Sequence, residues 1–376
     1  MTWTLLILAV FWLAYSNGAN DNFKGVATLY GSGTLTFRSA LSWATAATLA
    51  GSVLSIALAG SLAKTFSGKG LVPSELLQGS SLLIAVASAG AVTILLATVL
   101  GMPTSTTHAL TGALAGIALI ASPDRSGFSK LASEFLAPLL VSPLIAMVGA
   151  SLLYVLFHRV RVRFGVTRET CVCLGQCAPV PVRLRMDGAA LMASPLDGGP
   201  SFMLGSRRDC VERYDGRLVG IGAQTAVNGV HTFSGLAVCF ARAVNDTPKI
   251  AALLLAAGAS GALVAYWKLG LVAVAMALGG ILSARKVAET MSKRITDLNP
   301  GQGLTSSLVT AFLVLIASRF GVPVSTTHVS CGSIFGIGIV SGTARWRTIG
   351  QILLTWVTTL PMGAFLGAGT YWLLSG

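Results

Sequence analysis

The sequence predicts an all-α polytopic membrane protein built from two related halves. Of its 376 residues, 53% are hydrophobic and only 10% are charged, whereas a soluble domain carries about 25% charged residues. Because one helical span takes roughly 20 apolar residues, the apolar runs leave room for about ten to twelve membrane segments. Two polar motifs each occur twice, in the same order, and this repetition indicates a duplicated membrane unit.

The first motif, called here the Asn-Asp motif, follows the apolar run from Trp3 to Tyr15. This run has no basic stretch before it, so we expect it to belong to the first membrane segment and not to a removed signal peptide. A charge in hydrocarbon costs at least a few kcal/mol, so charged residues at this depth usually face a protein-lined or wet cavity. A single copy would also suit a polar loop, but the pattern Asn-Asp-x-x-Lys occurs twice, as Asn20, Asp21, Lys24 and as Asn245, Asp246, Lys249.

The second motif, called here the hydroxyl motif, reads Gly-x-Pro-x-Ser-Thr-Thr-His and occupies 101–108 and 321–328. Proline suits the first turn of a helix, where its missing N–H is not needed. The hydroxyls would then lie at helix starts, beside free backbone N–H groups and the positive end of the helix dipole. We therefore predict a donor-rich cradle for a tetrahedral oxyanion, and ordinary helix caps are the alternative. The candidate residues are Ser105, Thr106, Thr107, Ser325, Thr326 and Thr327.

His108 and His328 end the two hydroxyl motifs. Each imidazole is a candidate for relaying protons, for accepting a substrate hydrogen bond or for fixing the helix start. Asp21 and Asp246 are acids at a place where an anion is expected. A carboxylate beside an anion requires a cation or a proton between them, so each Asp is a candidate coupling site for Na⁺ or H⁺.

Duplicated halves with Gly- and Pro-interrupted polar segments at matching positions are typical of secondary transporters. We expect membrane repeats at 1–157 and 219–376, joined by a loop at 158–218, with broken or re-entrant helices. An inverted arrangement of the repeats is a hypothesis, because it requires an odd number of crossings between equivalent points. The sequence contains no Walker motif and no hydrolytic constellation stands out, so we predict that the protein is not an enzyme.

The loop 158–218 carries ten arginines and no lysine. Since three arginines follow directly after the membrane segment that ends near Phe157, the positive-inside rule predicts a cytoplasmic loop. In a membrane protein the net charge of +13 sets orientation and need not indicate nucleic acid binding. Four cysteines of the loop could bind Zn²⁺ or an iron–sulfur cluster, or could stay reduced thiols. They are Cys171, Cys173, Cys177 and Cys210.

At these motifs the chain resembles the PiT family of inorganic phosphate transporters. The matching pieces are the Gly-Ala-Asn-Asp stretch at 18–21, the Asn-Asp pair at 245–246, both hydroxyl motifs, and the stretch from Arg285 to Gly301. The resemblance implies an α-helical transporter of inverted repeats, with a phosphate site between the halves and symport with Na⁺ or H⁺. It implies no required cofactor, and we expect a prokaryotic plasma (inner) membrane. The implied site comprises Asn20, Asp21, Ser105, Thr106, Thr107, Asn245, Asp246, Ser325, Thr326 and Thr327.

The chain departs from the family pattern at one position of each Asn-Asp motif. The family has a second Asn three positions after the Asp, and here that position is Lys24 in the first half and Lys249 in the second. A lysine ammonium could fill the space of a bound Na⁺ and neutralise the adjacent Asp. We therefore predict H⁺ as the coupling ion over Na⁺. The alternative is that each lysine side chain snorkels away from the site.

Three other functions fit parts of the pattern. A permease for sulfate or another tetrahedral oxyanion keeps the fold and changes the substrate, but sulfate at neutral pH has no proton to donate to Asp21 or Asp246. An anion channel needs no coupling ion, and a membrane sensor or scaffold would use the Cys-bearing loop. The expected partners are inorganic phosphate and the lipid bilayer, with a homodimer as an option and no nucleic acid.

Overall fold

Almost all of the described chain is helical, as the sequence predicts. The computed structural model describes residues 2–65, 76, 79–122, 129, 131–167, 170–175, 201–206, 219–256 and 262–375. The first half contains α1 (Thr2–Asp21), a 3₁₀ turn (Lys24–Val26), α2 (Ala27–Gly31), α3 (Phe37–Thr65), α4 (Ser80–Val99), α5 (Thr106–Ala121), a π-helical turn (Leu131–Leu136) and α6 (Ala137–Arg163). The second half contains α7 (Ala223–Ala256), α8 (Ala262–Ser283), α9 (Arg285–Glu289), a π-helical turn (Thr290–Arg294), α10 (Pro300–Arg319), α11 (Thr326–Ser341) and α12 (Trp346–Ser375).

Six helical stretches of the described ranges are long and apolar enough to cross a membrane. They are Thr2–Gly31, Ser80–Val99, Leu131–Arg163, Tyr266–Ser283, Pro300–Arg319 and Trp346–Ser375. The polarity of the surface is opposite to that of a soluble protein. Phe365 of α12 is 80% exposed whereas Asp21 of α1 is 1% exposed, an arrangement that suits contact with lipid outside and polar chemistry inside.

Each hydroxyl motif connects two helices through the same sharp stop and restart. Gly101 and Gly321 have φ values of 73° and 70°, in the left-handed region that glycine adopts without strain. The Gly101 N–H donates to the Thr98 carbonyl at 2.9 Å, and the next N–H donates to the Ala97 carbonyl at 2.8 Å. This Schellman pattern ends α4, and the second half repeats it after α10.

The prolines of the hydroxyl motifs do not lie where the sequence predicts. Pro103 and Pro323 lie in extended links two residues before the helix-capping serines, Ser105 and Ser325. They are therefore outside the first helical turn, and the prediction of a proline at the helix start was wrong. Proline fixes an extended link equally well because its φ is restricted and it needs no N–H partner. The predicted helix starts at the hydroxyl residues are confirmed.

The two Asn-Asp motifs differ in backbone conformation. In the first half α1 ends at Asp21 and a short 3₁₀ turn begins at Lys24, so the helix breaks as expected. A broken or re-entrant helix was also expected at the Asn-Asp motif of the second half. The structure instead has one continuous helix, α7, with Pro248 inside it. Within this helix the side chains of Asp246 and Lys249 contact each other, and Lys249 also donates to the Val324 carbonyl.

Glycines of the hydroxyl-motif helices pack each half onto the other. A Cβ on Gly112 or Gly116 of α5 would lie 2.3 Å or 2.0 Å from carbonyl oxygens of α12. A Cβ on Gly332 or Gly336 of α11 would lie 2.4 Å or 2.2 Å from carbonyl oxygens of α6. Small residues allow such close backbone approach between membrane helices. The last helix of each half therefore covers the hydroxyl-motif helix of the other half.

The described residues form two compact units, Met1–Tyr154 with His231–Gly376 and, separately, Val155–Val230. The second unit contains an antiparallel sheet of order β2-β1-β3, with β1 (Thr170–Gly175), β2 (Ser201–Ser206) and β3 (Val219–Gly222). Composition gave no indication of this sheet.

Two of the four cysteines predicted to bind a metal lie on the central strand of that sheet. Cys171 pairs with Gly205 and Gly222, and Cys173 lies two positions further along β1. Cys177 and Cys210 lie outside the described residues. Within the described ranges no group of three His, Cys, Asp or Glu residues is placed to hold a metal ion, so the Zn²⁺ or iron–sulfur site stays a prediction.

Candidate functional site

Lys24 lies inside the protein at the break after α1, with 2% of its surface exposed. Its Nζ donates to the carboxylate of Asp21, to the carbonyl oxygen of Thr104 at 2.8 Å and to the hydroxyl of Thr327. These partners are one carboxylate, one backbone carbonyl and one threonine hydroxyl. The hydroxyl comes from the opposite half of the chain, so this ammonium joins the two halves.

Lys249 on α7 repeats this arrangement with the halves exchanged. Its Nζ donates to the hydroxyl of Thr107 at 2.9 Å, to the carbonyl oxygen of Val324 at 3.0 Å and to Asp246 at 3.5 Å. The same three kinds of oxygen surround it, and its side chain is fully buried. The alternative of lysines that snorkel away from the site was therefore wrong for both residues.

Asn17 brings the two carboxylates together. Its Nδ2 lies 3.3 Å from Asp21 Oδ2, 3.3 Å from Asp246 Oδ2 and 2.8 Å from the Thr106 hydroxyl. Asn17 precedes Asp21 by one turn of α1, so both side chains lie on one helix face. The sequence analysis assigned no role to Asn17. Its spacing of four residues from Asp21 could have indicated that it belongs to the site.

The amides of the Asn-Asp motifs hold the extended links. Asn20 donates to the Thr98 hydroxyl at 2.9 Å, and its Oδ1 accepts from the backbone N–H of Thr104 at 3.0 Å. Asn245 donates to the Val324 carbonyl at 3.3 Å, and its Oδ1 accepts from the Ser318 hydroxyl at 3.2 Å. In the described structure, both amides tie the end of one helix to the link that follows it.

The serines of the hydroxyl motifs cap their own helices. The Ser105 hydroxyl accepts from the His108 N–H at 3.2 Å, and the Ser325 hydroxyl accepts from the His328 N–H at 3.2 Å. The alternative of ordinary caps thus holds for the serine oxygens. Each hydroxyl also carries a hydrogen that a cap bond does not use, so a cap can still donate to an anion.

Replacing a capping serine tests how much these caps contribute. Ser105→Ala is expected to lower the free energy of unfolding by about 1 kcal/mol, because the His108 N–H loses its acceptor. Thermal unfolding of the purified protein in detergent would measure the loss. Ser325→Ala is the matched variant and should show a similar loss. Unchanged unfolding temperatures for both variants would contradict the assignment.

The threonines link the two hydroxyl motifs directly. The Thr327 hydroxyl donates to the Thr104 carbonyl at 2.5 Å, and the Thr107 hydroxyl donates to the Val324 carbonyl at 3.3 Å. Thr106 and Thr326 are buried at matching helix starts. All six hydroxyl residues predicted from the sequence therefore lie at or beside the contact between the halves.

The two motif histidines also meet. The ring centroids of His108 and His328 are 4.5 Å apart, and His328 stacks on Trp356 of α12 with centroids 3.8 Å apart. His328 Nδ1 lies 3.2 Å from the Leu139 carbonyl, so this nitrogen must carry the hydrogen and Nε2 is the acceptor. Nε2 of His328 and Nδ1 of His108 are buried without a hydrogen-bond partner in the described structure.

A cleft of about 600 Å³ is formed by residues of α4, α8 and α9. It is lined by Leu95, Thr98, Val99, Leu282, Ser283, Arg285, Lys286 and Glu289. Thr98 belongs both to the cleft wall and to the contacts of Asn20. The wall of the cleft thus adjoins a hydrogen-bond partner of Asn20, and it carries the basic side chains of Arg285 and Lys286 and the carboxylate of Glu289.

Comparison with known proteins identifies the family. Residues 17–367 match the model of the phosphate transporter family. The chain belongs to the phosphate transporter family. The resemblance predicted from the Asn-Asp and hydroxyl motifs is thereby confirmed, and the matched residues include both copies of each motif.

Relatives within the family come from distant organisms. A Mycobacterium tuberculosis protein named as a low-affinity inorganic phosphate transporter is 29% identical over 377 residues, which cover 98% of this chain and 77% of the relative. A Haemophilus influenzae protein named as a phosphate permease is 27% identical, with 99% and 97% covered. The chloroplastic inorganic phosphate transporter 2-1 of Arabidopsis thaliana is 25% identical, with 98% and 71% covered.

A solved structure shares the fold. A protein described as the sodium-dependent phosphate transporter superposes with a TM-score of 0.74 at 21% identity, over 100% of this chain and 99% of that one. The predicted class of helical membrane protein is confirmed. The relatives are named as transporters and permeases, so this family member is a membrane transporter and not an enzyme.

Proposed function

We propose that this family member carries inorganic phosphate by symport with protons and does not require Na⁺. The observation that carries the proposal is the pair of matched oxygen shells around Lys24 and Lys249. Oxygen ligands of these kinds suit hard cations, and in this chain each shell is filled by a covalently attached ammonium.

A second cation in either shell would be repelled. Two unit charges about 4 Å apart interact with about 4 kcal/mol at an effective dielectric constant of 20. A Na⁺ ion beside Lys24 or Lys249 would carry that penalty, and the adjacent Asp is already neutralised. A proton can instead move between an amine, a carboxylate and an incoming phosphate. Asp21 and Asp246 are the proposed proton carriers, and His108 and His328 are proposed helpers.

The proposed phosphate site lies where α5 and α11 begin. Serine and threonine hydroxyls and the first N–H groups of both helices supply donors that an oxyanion accepts. Asn17, which contacts Thr106 and both carboxylates, would orient the anion, while Asn20 and Asn245 fix the links around it. The cleft beside Thr98 is the proposed route from one side of the membrane.

The exchange of partners between the halves supports the proposed architecture. Lys24 bonds Thr327 and Lys249 bonds Thr107, as expected for repeats related by a pseudo-two-fold axis. We propose that the repeats at 1–157 and 219–376 are inverted. We further propose that the protein lies in a prokaryotic plasma membrane, with the loop 158–218 in the cytoplasm.

Uptake by proteoliposomes tests the coupling ion. Labelled phosphate is expected to accumulate under an inward H⁺ gradient in Na⁺-free buffer, and an inward Na⁺ gradient alone should drive none. Asp21→Asn should abolish the H⁺-driven accumulation. Accumulation that strictly follows the Na⁺ gradient would contradict the proton mechanism.

The same vesicles separate the alternative functions. Accumulation above the external phosphate concentration would exclude an anion channel. Strong competition by sulfate would favour the wider oxyanion permease. Liposomes without protein supply the background for both measurements.

A further inference from the structure

Arg242 is the largest fully buried side chain of the described residues, with 1% of its surface exposed. It lies on α7, one turn before Asp246. Its guanidinium donates to Asn17 Oδ1 at 3.2 Å, to Asn22 Oδ1 at 3.4 Å and to the Thr48 hydroxyl at 2.8 Å. All of these acceptors are neutral, and the buried Nε has no hydrogen-bond partner in the described structure.

The charges around Arg242 do not balance. Asp21 and Asp246 are the buried carboxylates of the described part of the chain, and each is paired with its own lysine. Such a pair sums to zero whether the shared proton lies on nitrogen or on oxygen. Arg242 forms no ion pair with a described carboxylate, and arginine keeps its proton in proteins. The site therefore carries one positive charge in excess.

Arg242 and Asn17 occupy matching positions, since each precedes the Asp of its motif by four residues. The contact between them joins the guanidinium to the hydroxyl motif, because Asn17 also contacts Thr106. A buried charge is costly unless it is paired. The Arg242 guanidinium is buried, has one N–H without an acceptor, and is separated from the Thr106 hydroxyl only by Asn17. Such a group is suited to bind an oxyanion.

We propose that Arg242 is a substrate-binding residue that makes the site select a singly charged tetrahedral oxyanion. This inference rests on the proposed function and narrows it, because phosphate would bind as its monoanion. With a monoanion bound and neither Lys–Asp pair loaded with a proton for transport, the charges of the site sum to zero. A dianion such as sulfate would leave a buried negative charge without a partner.

Several titratable groups surround the guanidinium and the proposed anion position. They are Asp21, Lys24, Cys239, Asp246, Lys249, Cys331, His108 and His328. A Lys–Asp pair that passes a proton between its own members keeps its net charge, whereas a pair that takes up a proton for transport gains one positive charge. Proton uptake by a pair and the second ionisation of phosphate are therefore both expected to make phosphate binding weaken as the pH rises.

Binding of labelled phosphate to purified protein in nanodiscs provides the test. Arg242→Asn, which reproduces the residue of the first half, is expected to weaken phosphate binding at least about tenfold, as expected for loss of a charge-assisted contact. Arg242→Lys keeps the charge and should lose less. Arg347→Gln, a change at an exposed arginine, is the control and should bind as the wild type does. Thermal unfolding confirms that each variant is folded.

The wild-type protein supplies a measurement that needs no variant. Its affinity for phosphate should fall as the pH rises through the second pKa of phosphate. Sulfate should compete weakly with phosphate both below and above that pH. Phosphate binding by folded Arg242→Asn at wild-type affinity would overturn the assignment, and so would a wild-type affinity that rises with pH.

The same experiment distinguishes failure of the inference from failure of the proposed function. Wild-type protein that binds a different singly charged oxyanion, but not phosphate, in an Arg242-dependent way would overturn the phosphate function and support the role of Arg242. Wild-type protein that binds sulfate as tightly as phosphate would overturn the selection of a monoanion. Wild-type protein that binds no oxyanion would overturn both.

Discussion

Changing both buried lysines to asparagine, Lys24→Asn with Lys249→Asn, is expected to make phosphate uptake depend on Na⁺. The change removes two ammonium groups and leaves Asp21, Asp246 and the carbonyl and hydroxyl oxygens around them. The carboxylates would then need new counter-charges, and an amide oxygen is a ligand that Na⁺ accepts. The rate of phosphate uptake into proteoliposomes should be independent of the external Na⁺ concentration for the wild type. For the double variant it should rise with Na⁺ concentration to a plateau.

Further variants serve as controls for this result. Lys24→Met alone should destabilise the protein by about 3–5 kcal/mol, because it leaves a buried carboxylate unpaired, and adding Asp21→Asn should restore part of the loss. Lys293→Asn, a change at an exposed lysine, should leave uptake independent of Na⁺. If the double asparagine variant is folded and still transports without Na⁺, the lysines do not occupy cation sites.

Gly279→Ala is expected to produce a large loss of stability from a single added methyl group. A Cβ on Gly279 of α8 would lie 1.9 Å from the Tyr15 carbonyl oxygen of α1, so one helix backbone must move. Overpacking usually costs about 1–3 kcal/mol, occasionally more, and here the obstructing atom is backbone. The expected result is a lower yield of monodisperse protein and a reduced unfolding temperature.

The same helix offers a matched control. A Cβ on Gly270 of α8 would meet no atom within 4 Å, and alanine is favoured over glycine inside a helix by about 1 kcal/mol. Gly270→Ala should therefore leave the unfolding temperature unchanged or raise it. Similar losses for both variants would show that the close contact between α1 and α8 is not the cause.

The sequence predicted the class of fold and the groups that meet at the site because repetition reveals them. Ser105 and Ser325, for example, occur in the same local pattern, and local pattern is enough to place a helix start. The sequence could not show that Lys24 would bond Thr327, or that Lys249 would bond Thr107, since those contacts depend on how the halves pack. Nor could it show that α7 continues through Pro248.

Asn17 and Arg242 were missed for a related reason. They occupy matching positions but differ in residue type, so a search for repeated letters does not find them. Their contact with each other, at 3.2 Å, exists only once α1 and α7 are placed side by side. A comparison of the repeats by position, with differences sought as well as identities, would have found the pair.

The close contacts of α5 with α12 and of α11 with α6 constrain how the transporter can move. Glycines at these two contacts place backbone against backbone, so sliding between the partners would separate or collide their main chains. We therefore expect each rigid body of an alternating-access cycle to contain helices from both proposed repeats. We expect the boundary between the moving bodies to differ from the boundary between the proposed repeats, and a hinge should be sought in the extended links at 101–105 and 321–325.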